Sequence, residues 1–208
     1  MKITDYFNPL QNKKQEVKYS LIPDSSWVLY KKIPNDLFLT ESEFDNLWDL
    51  HPLEDQYVKI MGNDVKIPRW NQSYGLPYKF SGVVHVAKPI PEIIKPFIDF
   101  ANKDVDDGTF NSALVNWYEN GDNYIGFHSD DEKQLIKDTP IYCFSFGSER
   151  DFVIKNKPNI NENKLKLLLE NNSLVIMGGT CQKTHLHSIP KRKKINSRRI
   201  SITLRQFK

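Results

Sequence analysis

His128-Ser129-Asp130, a histidine at His187, and Arg199 and Arg205 six residues apart follow one another in the C-terminal half of the chain. Two imidazoles and a carboxylate can occupy one face of a ferrous ion and leave the other positions to a co-substrate and O₂. Two guanidinium groups close behind the last histidine suit the carboxylates of a small diacid, because each can donate a pair of charge-assisted hydrogen bonds. The residues therefore point to oxidation at a non-haem iron.

The spacing is that of strands. Alternate side chains of a strand share a face, so His128 and Asp130 project together. Arg199-Ile200-Ser201-Ile202-Thr203-Leu204-Arg205 alternates polar and apolar without a break. One face carries Arg199, Ser201, Thr203 and Arg205, and the other offers Ile200, Ile202 and Leu204 to a core. Four polar groups turned inward cost free energy unless something polar meets them. Leu114-Val115-Asn116-Trp117-Tyr118 repeats the pattern and adds Asn116 and Tyr118. A His-x-Asp triplet alone is a weak signal; its conjunction with His187 and the arginine strand carries the reading. His185 is the one competitor for the third ligand position.

The elements that must position these groups are also legible. Residues 40–50 predict an amphipathic helix, with Thr40 and Glu43 as a capping box and Phe44, Leu47 and Trp48 as its apolar face. Residues 91–102 predict a second, with Ile93, Ile94, Phe97 and Phe100 inward and a bend or early stop at Pro96. Beyond Asn111 come short β-runs at 113–117, 142–146, 151–154, 165–169, 174–177 and 199–205, and Gly178-Gly179 reads as a turn. Short strands separated by turns, with a few supporting helices, predict a mixed, β-rich domain: a double-stranded β-helix, or jelly roll.

At 208 residues with 39% hydrophobic content, one domain plus a tail is expected: a flexible segment over 1–20 and the catalytic domain over 21–208. No run of 18 apolar residues predicts a membrane span, and no apolar leader predicts secretion. Cys143 and Cys181 form neither a metal-binding pair nor a disulfide framework. A monomer in a reducing, intracellular compartment is expected, the nucleus if the source is eukaryotic. The net charge of +3 is unevenly placed: residues 181–208 hold nine Lys/Arg and no Asp/Glu, which leaves 20 basic against 26 acidic residues before them. Lys191-Arg192-Lys193-Lys194 within that basic end reads as a phosphate clamp beside the site, or alternatively as a solvated loop or localisation signal. Near the N-terminus, Ile3, Tyr6 and Phe7 have the spacing of peptides that dock on the sliding clamp of DNA replication.

A family resemblance accounts for these features together. Asn116-x-Tyr118, Gly126-x-His128-x-Asp130-Asp131-Glu132, Ser145-Phe146-Gly147, Arg150-Asp151-Phe152, His187-Ser188-Ile189-Pro190 and Arg199-(five residues)-Arg205 resemble the AlkB family of iron(II)- and 2-oxoglutarate-dependent dealkylases. The likeness is to the eukaryotic DNA-repair branch that acts on duplex DNA, and it runs over residues 57–206. Val58-Lys59-Ile60-Met61-Gly62, Ile67-Pro68-Arg69, Ser73-Tyr74-Gly75 and Tyr78-Lys79-Phe80-Ser81-Gly82 are similar to that branch's nucleotide-recognition lid, near 57–82.

The resemblance implies His128, Asp130 and His187 as iron ligands. It implies Asn116, Tyr118, Arg199, Thr203 and Arg205 as the 2-oxoglutarate site, with Ser201 standing on that strand where an asparagine is usual. Ile60, Met61, Gly62, Arg69, Tyr78, Lys79 and Phe80 would contact substrate. Tyr78 and Phe80 would line the base pocket, and Asp131 and Glu132 would face a flipped base. Met61 takes the place of an aromatic finger, and Leu186 that of an aromatic residue before the last histidine. The implied reaction consumes 2-oxoglutarate and O₂, restores 1-methyladenine or 3-methylcytosine in double- or single-stranded DNA, and releases formaldehyde. An RNA demethylase on the same scaffold and a nucleic-acid-binding protein with weak catalysis are the alternatives.

Overall fold

The computed structural model describes residues 16–80, 83–105, 109–157 and 164–208. In chain order, β1 (Glu16–Ile22) and β2 (Ser26–Lys32) form a first hairpin, followed by helix α1 (Glu41–Trp48). The hairpin β3 (Tyr57–Ile60) and β4 (Asn63–Lys66), the strand β5 (Trp70–Gly75) and the hairpin β6 (Tyr78–Phe80) and β7 (Val83–His85) come next, then helix α2 (Lys95–Lys103). The remainder is β8 (Ser112–Tyr118), β9 (Ile125–His128), β10 (Ile141–Gly147), β11 (Arg150–Asn156), β12 (Leu165–Leu169), β13 (Ser173–Gly179), the single turn α3 (Cys181–Thr184), β14 (His185–Ile189) and β15 (Arg199–Arg205).

Two antiparallel sheets make the jelly roll. The larger has the order β1-β2-β13-β10-β15-β8-β5, the smaller β12-β11-β14-β9. Every residue of β15 is buried, and its alternating sequence decides what each face meets. Ile200, Ile202 and Leu204 pack with Leu47 and Trp48 of α1, Phe97 and Ile98 of α2, and Phe144 and Phe146 of β10. Arg199, Ser201, Thr203 and Arg205 turn to the opposite face, toward the smaller sheet. There a second core of Val28, Ile141, Val175 and Met177 meets Phe152, Ile154, Leu167, Leu169 and Ile189.

The supporting helices start where their sequences say. Thr40 caps α1 by accepting from Glu43 N at 3.2 Å, while Thr40 N donates to Glu43 Oε2 at 2.8 Å, the reciprocal capping box. Pro96 does not bend a longer helix: residues Glu92–Ile94 form a 3₁₀ turn, and the proline sits in the first turn of α2, where its missing N–H leaves no hydrogen bond unmade.

Two expectations are corrected. Of the segment expected to be flexible over 1–20, Glu16 to Ser20 instead pair with Lys31 to Trp27 in the first hairpin, and residues 1–15 lie outside those described. Gly178-Gly179 is not a turn but the end of β13, paired with Trp27 and Ser26 of β2. A Cβ on Gly178 would lie 2.1 Å from the Trp27 ring, so the glycine is demanded by close packing on a neighbouring strand. Ile3, Tyr6 and Phe7 lie outside the described residues, as do the side chains of Ile60, Tyr78, Lys79 and Phe80.

Candidate active site

Antiparallel pairing of β9 and β14 sets His128 opposite His187, with ring centroids 4.2 Å apart. Asp130 follows two residues after His128, and one ligand atom from each of the three lies within 4.8 Å of the others. His128 Nδ1 lies 2.9 Å from Gly126 O. A carbonyl only accepts, so Nδ1 carries the proton and Nε2 presents its lone pair, 4.0 Å from Asp130 Oδ1. Asp130 N donates to Gln182 Oε1 at 2.9 Å, and Arg205 Nη2 donates to Asp130 Oδ1 at 2.7 Å. Arg205 fixes the carboxylate, and Gln182 fixes the backbone that carries it.

Electrostatics hold the cluster in the protonation state a metal requires. Burial, then the neighbouring His128, lowers His187 to about 3, and burial likewise lowers His128. Burial alone would raise Asp130, but the charge of Arg205 and then the two histidines outweigh it and bring it to about 2. Two neutral imidazoles beside one ionised carboxylate make a donor set ready for a divalent cation without prior loss of protons. The set fits iron.

The same cavity is lined by Asn116, Tyr118, Arg199, Ser201, Thr203 and Arg205, so the structure brings together every residue expected to hold metal or co-substrate. Arg199 is 1% exposed, donates from Nη2 to Ser145 Oγ at 2.8 Å, and lies 4.9 Å from the centre of the Tyr118 ring. Its Nε and Nη1 have no hydrogen-bond partner, and no carboxylate pairs with it among the described residues. A buried guanidinium left half-satisfied is a receptor for an anion. Leu114, Ile125, Phe152, Met177 and Ile189 give the cavity apolar walls. His185, the competitor, is turned to Thr184 Oγ1 at 2.8 Å and stands outside the cluster.

Residues expected at the substrate are more dispersed. Met61 is 99% exposed at the tip of the β3–β4 hairpin, and Met61 and Gly62 have φ of +49° and +83°, as a tight hairpin turn between twisted strands requires. Asp131 is exposed. Glu132, expected beside it at the base, is instead buried, with Oε1 4.0 Å from Arg205 Nη1, a second carboxyl group on that guanidinium. Arg69 is half-buried and donates from Nε to Asn116 Oδ1 at 2.7 Å. Of the basic cluster, Lys191, Lys193 and Lys194 are exposed. Arg192 is tethered: its N donates to Gly121 O at 2.8 Å, and its Nη1 donates to Glu149 O at 3.4 Å.

Three pairings at the site are not apparent from the sequence. Gln182 reaches Asp130 across 52 residues of chain, Arg69 reaches Asn116 across 47, and Thr203 Oγ1 donates to Cys143 Sγ at 3.6 Å across 60. Only the last has a signal: the alternation of β10 places Cys143 and Ser145 on the face of Arg199 and Thr203.

The family model of the 2OG-Fe(II) oxygenase superfamily matches residues 51–205. The chain belongs to that superfamily. Within it, the likeness is to AlkB-type proteins, as the motifs implied. The chain is 34% identical over 159 residues to the DNA oxidative demethylase ALKBH2 of Homo sapiens, covering 72% of this chain and 60% of that protein. It is 33% identical over 149 residues to the alpha-ketoglutarate-dependent dioxygenase alkB homolog 3 of Rattus norvegicus, covering 66% and 50%. Matches to the mammalian ALKBH2 proteins span 57% to 66% of their length. The solved structure of OsALKBH1 superposes with a TM-score of 0.59 at 18% identity, over 86% of this chain and 96% of that one, a likeness of fold.

Proposed function

We propose that this protein is an iron(II)- and 2-oxoglutarate-dependent dioxygenase that repairs N-alkylated bases in DNA, with 1-methyladenine and 3-methylcytosine as substrates. The observation that carries the reading is one cavity holding both the His128–Asp130–His187 cluster and the half-satisfied, buried Arg199. His128, Asp130 and His187 would hold the iron. Arg199, with Asn116, Tyr118, Ser201, Thr203 and Arg205 around it, would hold 2-oxoglutarate. Held there, iron, 2-oxoglutarate and O₂ would supply the oxidation that hydroxylates the N-alkyl carbon, which would then leave as formaldehyde.

The chain's own contribution is placement and exclusion of water. Arg205 holds the Asp130 carboxylate beside the histidines, Gln182 holds its backbone, and the apolar walls limit the entry of water. A base inside a duplex must be flipped to reach the site, and an apolar side chain that fills the vacated stack lowers that cost. Met61, fully exposed at a hairpin tip, is suited to that wedge. Asp131 offers a carboxylate to the cationic ring of a methylated base, and Lys191, Lys193 and Lys194 offer phosphate contacts. The names of the ALKBH2 relatives support DNA as the polymer. Action inside the cell belongs to the same reading; among the described residues no helix is long and apolar enough to cross a membrane. So does docking on a sliding clamp through Ile3, Tyr6 and Phe7.

The test is incubation of purified protein with iron(II), 2-oxoglutarate and matched single- and double-stranded DNA and RNA oligonucleotides bearing one 1-methyladenine. Restored adenine in DNA supports the proposal. Restoration confined to RNA moves the function to RNA demethylation, and no restoration in any polymer contradicts it.

A further inference from the structure

The hairpin β3–β4 is joined to β5 by Ile67-Pro68-Arg69, and this linker is tied down along its length. Gln56, just before β3, accepts at its backbone oxygen from Ile67 N at 2.7 Å. Its side chain brackets the backbone of Asn71, accepting from N at 2.8 Å and donating to O at 2.9 Å. Tyr124 N donates to Pro68 O at 3.3 Å. Between these ties, Arg69 Nε donates to Asn116 Oδ1 at 2.7 Å, a charge-assisted contact.

That contact fixes which way the Asn116 amide faces. A guanidinium has no acceptor, so the carboxamide must present its oxygen to Arg69 and keep its Nδ2 hydrogens for the cavity that Asn116 lines. Arg69 itself does not line that cavity. We propose that Arg69 is a positioning residue: it sets the Asn116 amide as a donor to 2-oxoglutarate and thereby couples the placement of the β3–β4 hairpin to cofactor binding. The inference rests on the reading of this cavity as the 2-oxoglutarate site. It departs from the sequence expectation that Arg69 contacts substrate.

Asn71 and Asn116 are directly opposite in the β5–β8 pairing, so the strand that Gln56 brackets is the one lying beside Asn116. A displacement of the hairpin moves the linker, and the linker carries the guanidinium. Removing Arg69 frees the amide to flip, so that half of its orientations present an oxygen to the carboxylates of 2-oxoglutarate.

The experiment titrates 2-oxoglutarate into the iron(II)-loaded protein without oxygen or nucleic acid, following the visible charge-transfer absorption of the chelate. Arg69→Ala is expected to raise the 2-oxoglutarate Kd about tenfold, the loss of one charge-assisted hydrogen bond. Asn116→Ala is expected to raise it at least as much, and Arg69→Ala added to Asn116→Ala to change nothing further, because Arg69 acts through Asn116. Additive losses overturn the proposal, as does a Kd within about twofold of wild type for Arg69→Ala. Should Arg69→Ala fail to fold, Arg69→Gln retains a neutral donor and is read in the same cycle. A wild-type protein with no 2-oxoglutarate-dependent absorption overturns the cavity assignment and this inference with it. Absorption in the wild type without coupling overturns this inference alone.

Discussion

Asp130 is held between opposing demands. Burial disfavours its charge, while Arg205 at 2.7 Å favours it, and the charge prevails. Asp130→Asn keeps the shape and still gives Arg205 an oxygen, but it removes the charge that pairs with the buried guanidinium, so the metal-free protein is expected to fold with a lowered Tm. Iron affinity is expected to fall by more than about a hundredfold, since replacing even an outer partner of a metal ligand costs ten- to a hundredfold. Equilibrium dialysis with iron(II) checks this, and wild-type affinity in the variant would remove Asp130 from the ligand set. His187→Ala is expected to behave alike and His185→Ala to bind normally. The histidines also set an acid limit. His187 is lowered from 6.5 to about 3 by burial, so between those values the unfolded chain binds the extra proton. Stability of the metal-free protein is therefore full above 6.5 and declines as pH falls toward 3. Asp130, lowered from 3.8 to about 2, adds a further loss below 3.8. Tm measured on metal-free protein from about pH 7 to about pH 4 is expected to fall steadily; a flat profile would mean that His187 is not buried neutral.

At the scale of elements, the β3–β4 hairpin and β15 do opposite things with their side chains. β15 buries all of its polar face against a cavity, whereas the hairpin ends in a wholly exposed methionine. Met61→Ala is expected to lower repair of a lesion in duplex DNA well below its effect on the same lesion in single-stranded DNA. Only the duplex leaves a hole for an apolar side chain to fill. Equal losses on both, in single-turnover assays, would reduce Met61 to a surface role. Legibility also divides by element. β15 is readable because its alternation is unbroken, and the cavity residues of β8 repeat the pattern. β1 is not, because Glu16-Val17-Lys18-Tyr19-Ser20 continues the polar composition of the tail and is a strand only through its pairing with β2. Gly178-Gly179 reads wrongly because a glycine pair marks a turn unless a tryptophan from another strand lies against it. Gln182 and the pairing of Arg69 with Asn116 are invisible for a related reason: they are set by how the sheets close, which no local spacing encodes.

For the whole molecule, charge is sorted along the chain, and the basic end reaches the surface beside the site. Lys191 Nζ lies 5.1 Å from the Tyr124 ring centre, on the loop that leads into β9 and the metal cluster. Replacing Lys191, Lys193 and Lys194 with alanine is expected to weaken oligonucleotide binding irrespective of sequence. The slope of log Kd against log salt should flatten by up to about 0.9 for each phosphate no longer neutralised. Iron and 2-oxoglutarate binding should be unaffected, because none of the three lines the cavity. An unchanged slope would make the cluster a solvated loop.

The most direct test of the account is the balance of products in one reaction. With iron(II), 2-oxoglutarate, O₂ and duplex DNA carrying 1-methyladenine, succinate, formaldehyde and restored adenine are expected in equal amounts, and all three are expected to vanish in Asp130→Asn. Adenine restored without succinate, or succinate formed with the lesion left intact, would contradict it.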